Sequence, residues 1–461
     1  MYNERQKMLA DERIGKLLWK LSLPAGIGMF VMTLYNVVDT IFIGHAVGTL
    51  GIAGLTIVFP IQMLAMGMGM MIGIGGASLI SRSLGANNIG RAERTLGNAI
   101  FCIFVLGITI AVVGLSDSSF WLRLFGASET ILPYAKDYVD VILLGVVFLM
   151  FAMSVNGLVR AEGNARVPMI SMIIGAILNI LLDALFILAL GMGIKGAAIA
   201  TVLSQAVTSL YIIHYYFFQG SSLKLHLRNF VPAYSVVREI IIIGFGSFVR
   251  MAGGSLVAVI VNRTLIAYGG DLAVASYGLV HRTMMFIFMP IISIAQGLQP
   301  ILGFSYGARR SDRALQVIRL SAIVATIFST ISFLIIFFFP APIMRIFTND
   351  ASLVSASSHA AKLIFLAAYL IGFQMVGSVV FQALGKAVPT FVTATSRQIL
   401  FLLPLVFILP RFLQLDGVWL SLPIADALSF ILTLAFFIPQ IRELRRMELP
   451  AKNMSAEVQV K

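Results

Sequence analysis

Charge is what this chain has least of. Only 11% of its 461 residues are Asp, Glu, Lys or Arg, where a soluble globular chain carries ~25%. A water-facing surface of ordinary chemistry is excluded. Cysteine is nearly absent as well. Cys102 stands alone, so there is no intrachain disulfide and no multi-cysteine metal site. The five histidines, His45, His214, His226, His281 and His359, never fall at metal-protease spacing such as HExxH, and no Asp-rich metal motif of a prenyltransferase occurs. Intramembrane enzymes of those kinds drop out. What is present instead is apolar: 59% of the residues are hydrophobic and the mean hydropathy is +0.96. At ~20 apolar residues per membrane helix, the chain holds about a dozen spans and little else.

The net charge of +13 would point a soluble protein toward nucleic acid. Here it fits basic loops on one side of a membrane, and no nucleic-acid partner is expected. Apolar runs predict spans at 17–43, 52–79, 95–117, 133–158, 167–190, 194–218, 239–268, 276–304, 318–340, 358–383, 389–410 and 417–441. The first run is too long for the h-region of a cleaved signal and reads as a retained span. Arg5, Lys7, Arg13, Lys16 and Lys20 precede or open it. Arg82, Arg91 and Arg94 fall in the second loop, Arg160 and Arg166 in the fourth, and Lys224, Arg228 and Arg238 in the sixth. Arg309, Arg310, Arg313 and Arg319 fall in the eighth, and Arg442, Arg445, Arg446, Lys452 and Lys461 in the tail. The alternate loops hold few: Arg123, Lys136, Lys195, Arg345 and Arg411. Both termini are therefore expected in the cytoplasm, in agreement with an even number of spans.

Sliding the chain along itself by about 222 residues exposes a repeat. Ser83, Gly85 and Ala86 meet Ser305, Gly307 and Ala308; Arg91 and Ala92 meet Arg313 and Ala314; Gly48 and Leu50 meet Gly270 and Leu272; Ala161 and Gly163 meet Ala383 and Gly385. After a slip of one residue, Pro168 meets Pro389 and Gly196 meets Gly417. The reading is an all-α polytopic protein of two six-helix lobes: residues 1–218, a linker at 219–238, and 239–461. Repeats of like topology are a transporter architecture.

An ionisable residue deep in a span costs ~2.5–3.5 kcal/mol on insertion scales and marks function. Asp39 in the first span and Asp183 in the fifth lie about 6 Å and about 10 Å from the outer ends, so they can meet. Asn179 shares a helix face with Asp183, and Tyr35 with Asp39. Thr201 enters the sixth span to matching depth, and Tyr138 lies near the outer end of the fourth. Two carboxylates, an amide oxygen and a hydroxyl suit a hard cation such as Na⁺; the two carboxylates alone would share a proton. The second half has Val261 and Pro404 where the first has these acids, and Asp426 is a lone acid in the twelfth span. Arg250, Arg263, Arg282 and Arg397 lie in or near spans. Pro24 interrupts the first span and permits a kink or a gate. Met63, Met66, Met68, Met70 and Met71 crowd the second span, suiting either packing or a cavity of adaptable shape, and the glycines among them favour close helix contacts.

The first-span stretch Pro24 to Asp39, the run Arg160-Ala161-Glu162-Gly163-Asn164 followed by Pro168, and Asn179-x-x-x-Asp183 resemble prokaryotic members of the multidrug and toxic compound extrusion (MATE) transporters. The resemblance covers nearly the whole chain and is greatest to the DinF-like and archaeal branch. It implies two six-helix lobes of MATE (MOP-type) fold arranged as a V around a central cavity. It implies antiport of drug-like, often cationic, organic compounds against H⁺ or Na⁺ in a prokaryotic cytoplasmic membrane, with no cofactor and as a monomer. The coupling ion, Na⁺ or H⁺, falls to Asp39, Asn179, Asp183 and Thr201. Tyr35, Tyr138, Asn156, Met63 and Glu162 are expected to line the cavity or support the site, although depth places Asn156 and Glu162 toward the cytoplasmic end. A lipid-linked oligosaccharide flippase of the same superfamily is the alternative; it would want Arg250, Arg263, Arg282 and Arg397 to converge.

Overall fold

The computed structural model describes residues 4–218 and 220–459, without the side chains of residues 36, 40, 41, 43, 45–47, 49 and 448–459. The regular elements among those residues are all helical, and no strand occurs among them. The chain begins with a short helix, α1 (Glu4–Asp11), and continues as α2 (Ile14–Val47), α3 (Thr49–Gly85), α4 (Ile89–Ser116), α5 (Ser118–Leu124), α6 (Leu132–Leu144), α7 (Val146–Ala161), α8 (Arg166–Asp183) and α9 (Gly193–Phe218). It then runs through α10 (Tyr234–Gly307), α11 (Ser311–Phe338), α12 (Pro340–Arg345), α13 (Ala351–Ile364), α14 (Ala368–Leu384), α15 (Ala387–Thr395), α16 (Leu403–Ile408) and α17 (Pro410–Gln459). Two π-helical stretches interrupt this order: Ala184–Ala189 carries α8 onward, and Ser396–Leu402 joins α15 to α16.

Ten of the described helices are long and apolar enough to cross a membrane. The pair α6 and α7, bent by 57°, makes an eleventh. The long α10 is two helices meeting at Gly270, where the backbone turns to φ 61°, ψ −159°, so it supplies two of the expected twelve spans.

The chain divides into two compact units, residues 1–10 with 23–248 and residues 11–22 with 249–461. The division falls at 248, ten residues beyond the expected start of the second lobe, for a structural reason. Asn98 on α4 grips the stretch 229–233: its Nδ2 donates to the carbonyls of Asn229 (2.8 Å) and Val231 (3.1 Å), and its Oδ1 accepts from the Ala233 amide at 2.7 Å. Glu239 then takes Arg82 and Arg91 as ion-pair partners at 2.9 and 2.6 Å. The expected linker and the first turns of α10 are thus bound to unit one. Residues 11–22 belong to unit two, where the backbone and side chain of Ser22 lie against Gly297.

The backbone carries the repeat more sharply than the side chains do. Positive φ occurs at Gly48 and Gly270, at Asn87 and Arg309, and at Gly163 and Gly385, each pair 222 residues apart, and at Gly193 and Gln414 after the slip. The turn that closes α3 bonds the amides of Ala86, Asn87 and Asn88 to the carbonyls of Arg82, Leu84 and Ser83. The turn closing α10 repeats that pattern with Ala308, Arg309 and Arg310 on Phe304, Tyr306 and Ser305.

Within unit one, α3 and the start of α10 cross at two glycines. A Cβ on Gly75 would lie 2.0 Å from the Ile240 carbonyl oxygen, and one on Gly244 would lie 1.9 Å from that of Met71. Such backbone approach is what small residues supply between membrane helices. Gly244→Ala is expected to destabilise the protein by about 3 kcal/mol or more, at the upper end of overpacking costs. Gly278→Ala, whose Cβ would meet no atom within 4 Å, is expected to be neutral or slightly stabilising. Thermal melting of the two purified variants, followed by size-exclusion chromatography, separates these outcomes.

Candidate functional site

Unit one gathers the acids. Asp39 stands on α2, Asp183 is the last residue of α8 before the π-helical stretch, Asn179 is one turn before it, and Thr201 faces them from α9. A π segment re-aims the residues beside it and recurs at functional sites. Asp183 and Asn179 are buried, with relative exposures of 0% and 2%. The carboxyl groups of Asp39 and Asp183 lie within hydrogen-bonding reach of each other. Asn179 Nδ2 donates to Thr201 Oγ1 at 3.4 Å. The Tyr35 and Tyr138 rings lie within electrostatic reach of both acids, and Tyr138 Oη accepts from Gln62 Nε2 on α3 at 3.5 Å. Four buried oxygens here have no hydrogen-bond donor: Asp39 Oδ1, Asp183 Oδ1, Asp183 Oδ2 and Asn179 Oδ1. Oxygen acceptors without donors, packed together out of water, are a set that a proton or a hard cation would satisfy.

Tyr138 sits in an apolar cluster with Val58, Leu122, Ile142 and Ile187, which closes one side of the acids to water. Gln62 was not anticipated. It neighbours Met63 and is one of the few amides in the second span, which was its only sequence signal. Met63 is half-buried on α3. Two glycines of that helix face α7, where Gly69 and Gly73 lie against Met150 and Ser154, and Ser154 Oγ donates to the Gly69 carbonyl at 2.5 Å.

Two of the residues named with the acids belong to other clusters. Asn156 on α7 accepts from Ser171 Oγ at 2.9 Å, and Thr208 on α9 donates to the Ser171 carbonyl at 3.4 Å. Glu162, fully buried past the end of α7, accepts from Tyr215 Oη (3.0 Å), Ser221 Oγ (2.8 Å) and the Ser222 amide (2.8 Å). Arg5 of α1 approaches the same carboxylate at 3.8 Å and caps the Tyr215 ring, its Cζ 5.3 Å from the ring centroid. These bonds fasten α1 and the chain after α9 to the end of α7. Of the four intramembrane arginines, Arg250 and Arg397 come within electrostatic reach of each other, whereas Arg263 and Arg282 are exposed. The four-arginine convergence that a pyrophosphate cavity would want is absent.

These features describe a helical membrane transporter: repeated spans, and a facing pair of intramembrane acids in one repeat. The sequence profile of the MatE family matches residues 24–185 and 239–408, and the chain belongs to that family. It is 25% identical over 434 residues to the multidrug export protein MepA of Staphylococcus haemolyticus strain JCSC1435, covering 94% of this chain and 95% of that one. Among solved structures it resembles the MATE multidrug transporter DinF-BH, solved as a ligand complex, with 44% identity, a TM-score of 0.88, and coverage of 95% and 98% of the two chains. It also resembles an outward-facing multidrug resistance MATE transporter of the MOP superfamily, with 27% identity, a TM-score of 0.90, and coverage of 97% and 100%.

Burial pushes the Glu162 carboxyl above the usual carboxylate range; the Ser221 hydroxyl, the Arg5 charge, the Ser222 amide and the Tyr215 hydroxyl work against it. A carboxyl with a raised folded value favours the fold at pH below its unfolded value, and that contribution is lost as pH rises through the folded one. Glu162→Gln, uncharged at every pH, is expected to show a smaller fall in melting temperature than the parent between about pH 4 and about pH 8. Parallel melting curves across that range check it, and equal slopes would contradict it.

Proposed function

We propose that the protein is a multidrug efflux antiporter that exports drug-like, often cationic, organic compounds in exchange for H⁺ or Na⁺. It works in a prokaryotic cytoplasmic membrane with both termini inside. The observation that carries this reading is the donor-less oxygen cluster of Asp39, Asn179 and Asp183. A proton shared between the two carboxylates, or Na⁺ taken by the same oxygens with Thr201, would relieve the desolvation of those groups. Binding and release of that ion change the charge of the cluster by one unit, and therefore its affinity for an organic cation. The names of the relatives, a multidrug export protein and a multidrug transporter solved as a ligand complex, support the substrate class.

Pro24 supports the coupling. The division between the two compact units crosses α2 between Ser22 and Leu23, beside a proline that removes one intrahelical hydrogen bond. Rocking of one unit against the other would be absorbed there, and the bend would be felt at Asp39 on the same helix.

Efflux of a fluorescent organic cation from proteoliposomes tests the proposal, first under a pH gradient alone and then under a Na⁺ gradient alone. One of the two is expected to drive transport and so to name the coupling ion. Asp39→Asn and Asp183→Asn are each expected to lower that rate at least tenfold in protein that is inserted and monodisperse. Wild-type rates in both variants would end the assignment.

A further inference from the structure

Unit two carries intramembrane charge of the opposite sign. Arg250 lies on α10 roughly midway between Tyr234 and Gly269, about 25 Å from either end of that span at 1.5 Å per residue. Arg397 lies on the π-helical stretch Ser396–Leu402. Its Nε donates to Asp426 Oδ1, and its Nη2 lies 3.4 Å from Asp426 Oδ2, so that it engages both oxygens of the acid. Its Cζ sits 5.3 Å from the Phe288 ring centroid.

The arrangement around this pair is built. Ser396 Oγ meets Ser429 Oγ at 2.6 Å, and Gln374 Nε2 donates to Ser429 at 3.0 Å. These contacts tie the residue before Arg397 to the helix that bears Asp426. Gly253 and Gly254, one turn after Arg250 and on its face of the helix, abut Ile399 and Gln398: a Cβ on Gly253 would fall 2.5 Å from Ile399 Cδ1, and one on Gly254 would fall 3.5 Å from Gln398 Oε1. That packing brings Arg250 beside Arg397.

The charges do not balance. Asp426 is the carboxylate of unit two that lies deep in a span, and Arg397 occupies it; among the described residues no acid forms an ion pair with Arg250. Aromatic surface adjoins Arg397, the neighbour of the unpaired cation. Tyr277 stacks on buried Trp419 with ring centroids 6.3 Å apart, and both Tyr277 and His281 lie within electrostatic reach of Arg397. A planar, permanently charged guanidinium in an apolar interior matches a carboxylate, which it can bind through two parallel N–H bonds.

We propose that Arg250, with Arg397 held behind it by Asp426, forms an anion subsite that binds the carboxylate of an aromatic amphiphile. The aromatic part lies against Phe288 and Tyr277. Its use as a substrate subsite rests on the efflux reading above.

Equilibrium binding tests it without any ion gradient, so failed transport and a failed subsite are told apart. The full chain in a maltoside detergent is titrated by fluorescence anisotropy with 1-pyrenebutyrate and, separately, with its methyl ester. The acid is expected to bind at least tenfold tighter than the ester, although the ester is the more apolar. Arg250→Gln is expected to weaken the acid about tenfold and the ester less than twofold, and Arg250→Lys to fall between. Asp426→Asn, which releases Arg397, is expected to tighten the acid severalfold. Wild-type protein that prefers the ester, or binds the two alike, overturns the subsite even if no variant folds. So does an Arg250→Gln protein that weakens both probes equally.

Discussion

The structure of unit one turns on the cost of placing carboxylate oxygens where no donor reaches them. A buried polar group without a hydrogen bond costs several kcal/mol in hydrocarbon-like surroundings, and a charged one more. Asp183, Asn179 and Asp39 together hold four such oxygens. The surroundings offset little of this. Thr201 is engaged by the amide end of Asn179 rather than by an acid, and Tyr138 receives Gln62. A fold selected only for stability would place a basic side chain or an apolar residue there. Keeping an acceptor-only cluster makes sense when something mobile and positive supplies the missing bonds.

The two units solve opposite problems on one backbone plan. The positive-φ residues and the turns recur at an offset of 222 residues, so the geometry of the duplication survives. The chemistry does not: unit one holds Asp39 and Asp183, while unit two holds Arg250 and Arg397 against the single Asp426. Backbone conformation is constrained at every crossing and turn by sterics, whereas a buried charge is constrained only by whatever it binds.

That difference also explains what could be read from the amino acids. The spans were legible because long apolar runs have one physical meaning in a chain this poor in charge. The depth of Asp39 and Asp183 followed from helix rise alone, and Asn179 followed from one helical turn. The same depth reading set Asn156 and Glu162 toward the cytoplasmic end, away from the acids, but did not reveal the partners they find there. Glu162 is held by Arg5, Tyr215, Ser221 and Ser222, all distant in sequence, and no local pattern announces a carboxylate with so many remote donors. The stretch 219–238 looked like a linker because it is polar. Its fixation depends on Asn98, a polar residue inside an apolar run on another helix. Arg250 and Arg397 were visible as charges, but their pairing required Gly253 and Gly254 to bring two helices together.

The position of Pro24 links these themes through simple leverage. Pro24 and Asp39 stand on one continuous helix, about 22 Å apart along the axis at 1.5 Å per residue. Proline removes one backbone hydrogen bond and its ring crowds the preceding turn, so bending is concentrated there. A change of about 10° at Pro24 displaces a point that far along the axis by about 4 Å. That is more than the length of a hydrogen bond, and enough to bring the Asp39 carboxyl to Asp183 or take it away. The helix segment before the proline is packed with unit two and the segment after it with unit one. Under the antiport proposed above, a charge set by the separation of two carboxylates would be transmitted as a helix angle, and a helix angle as a charge, with no further moving part.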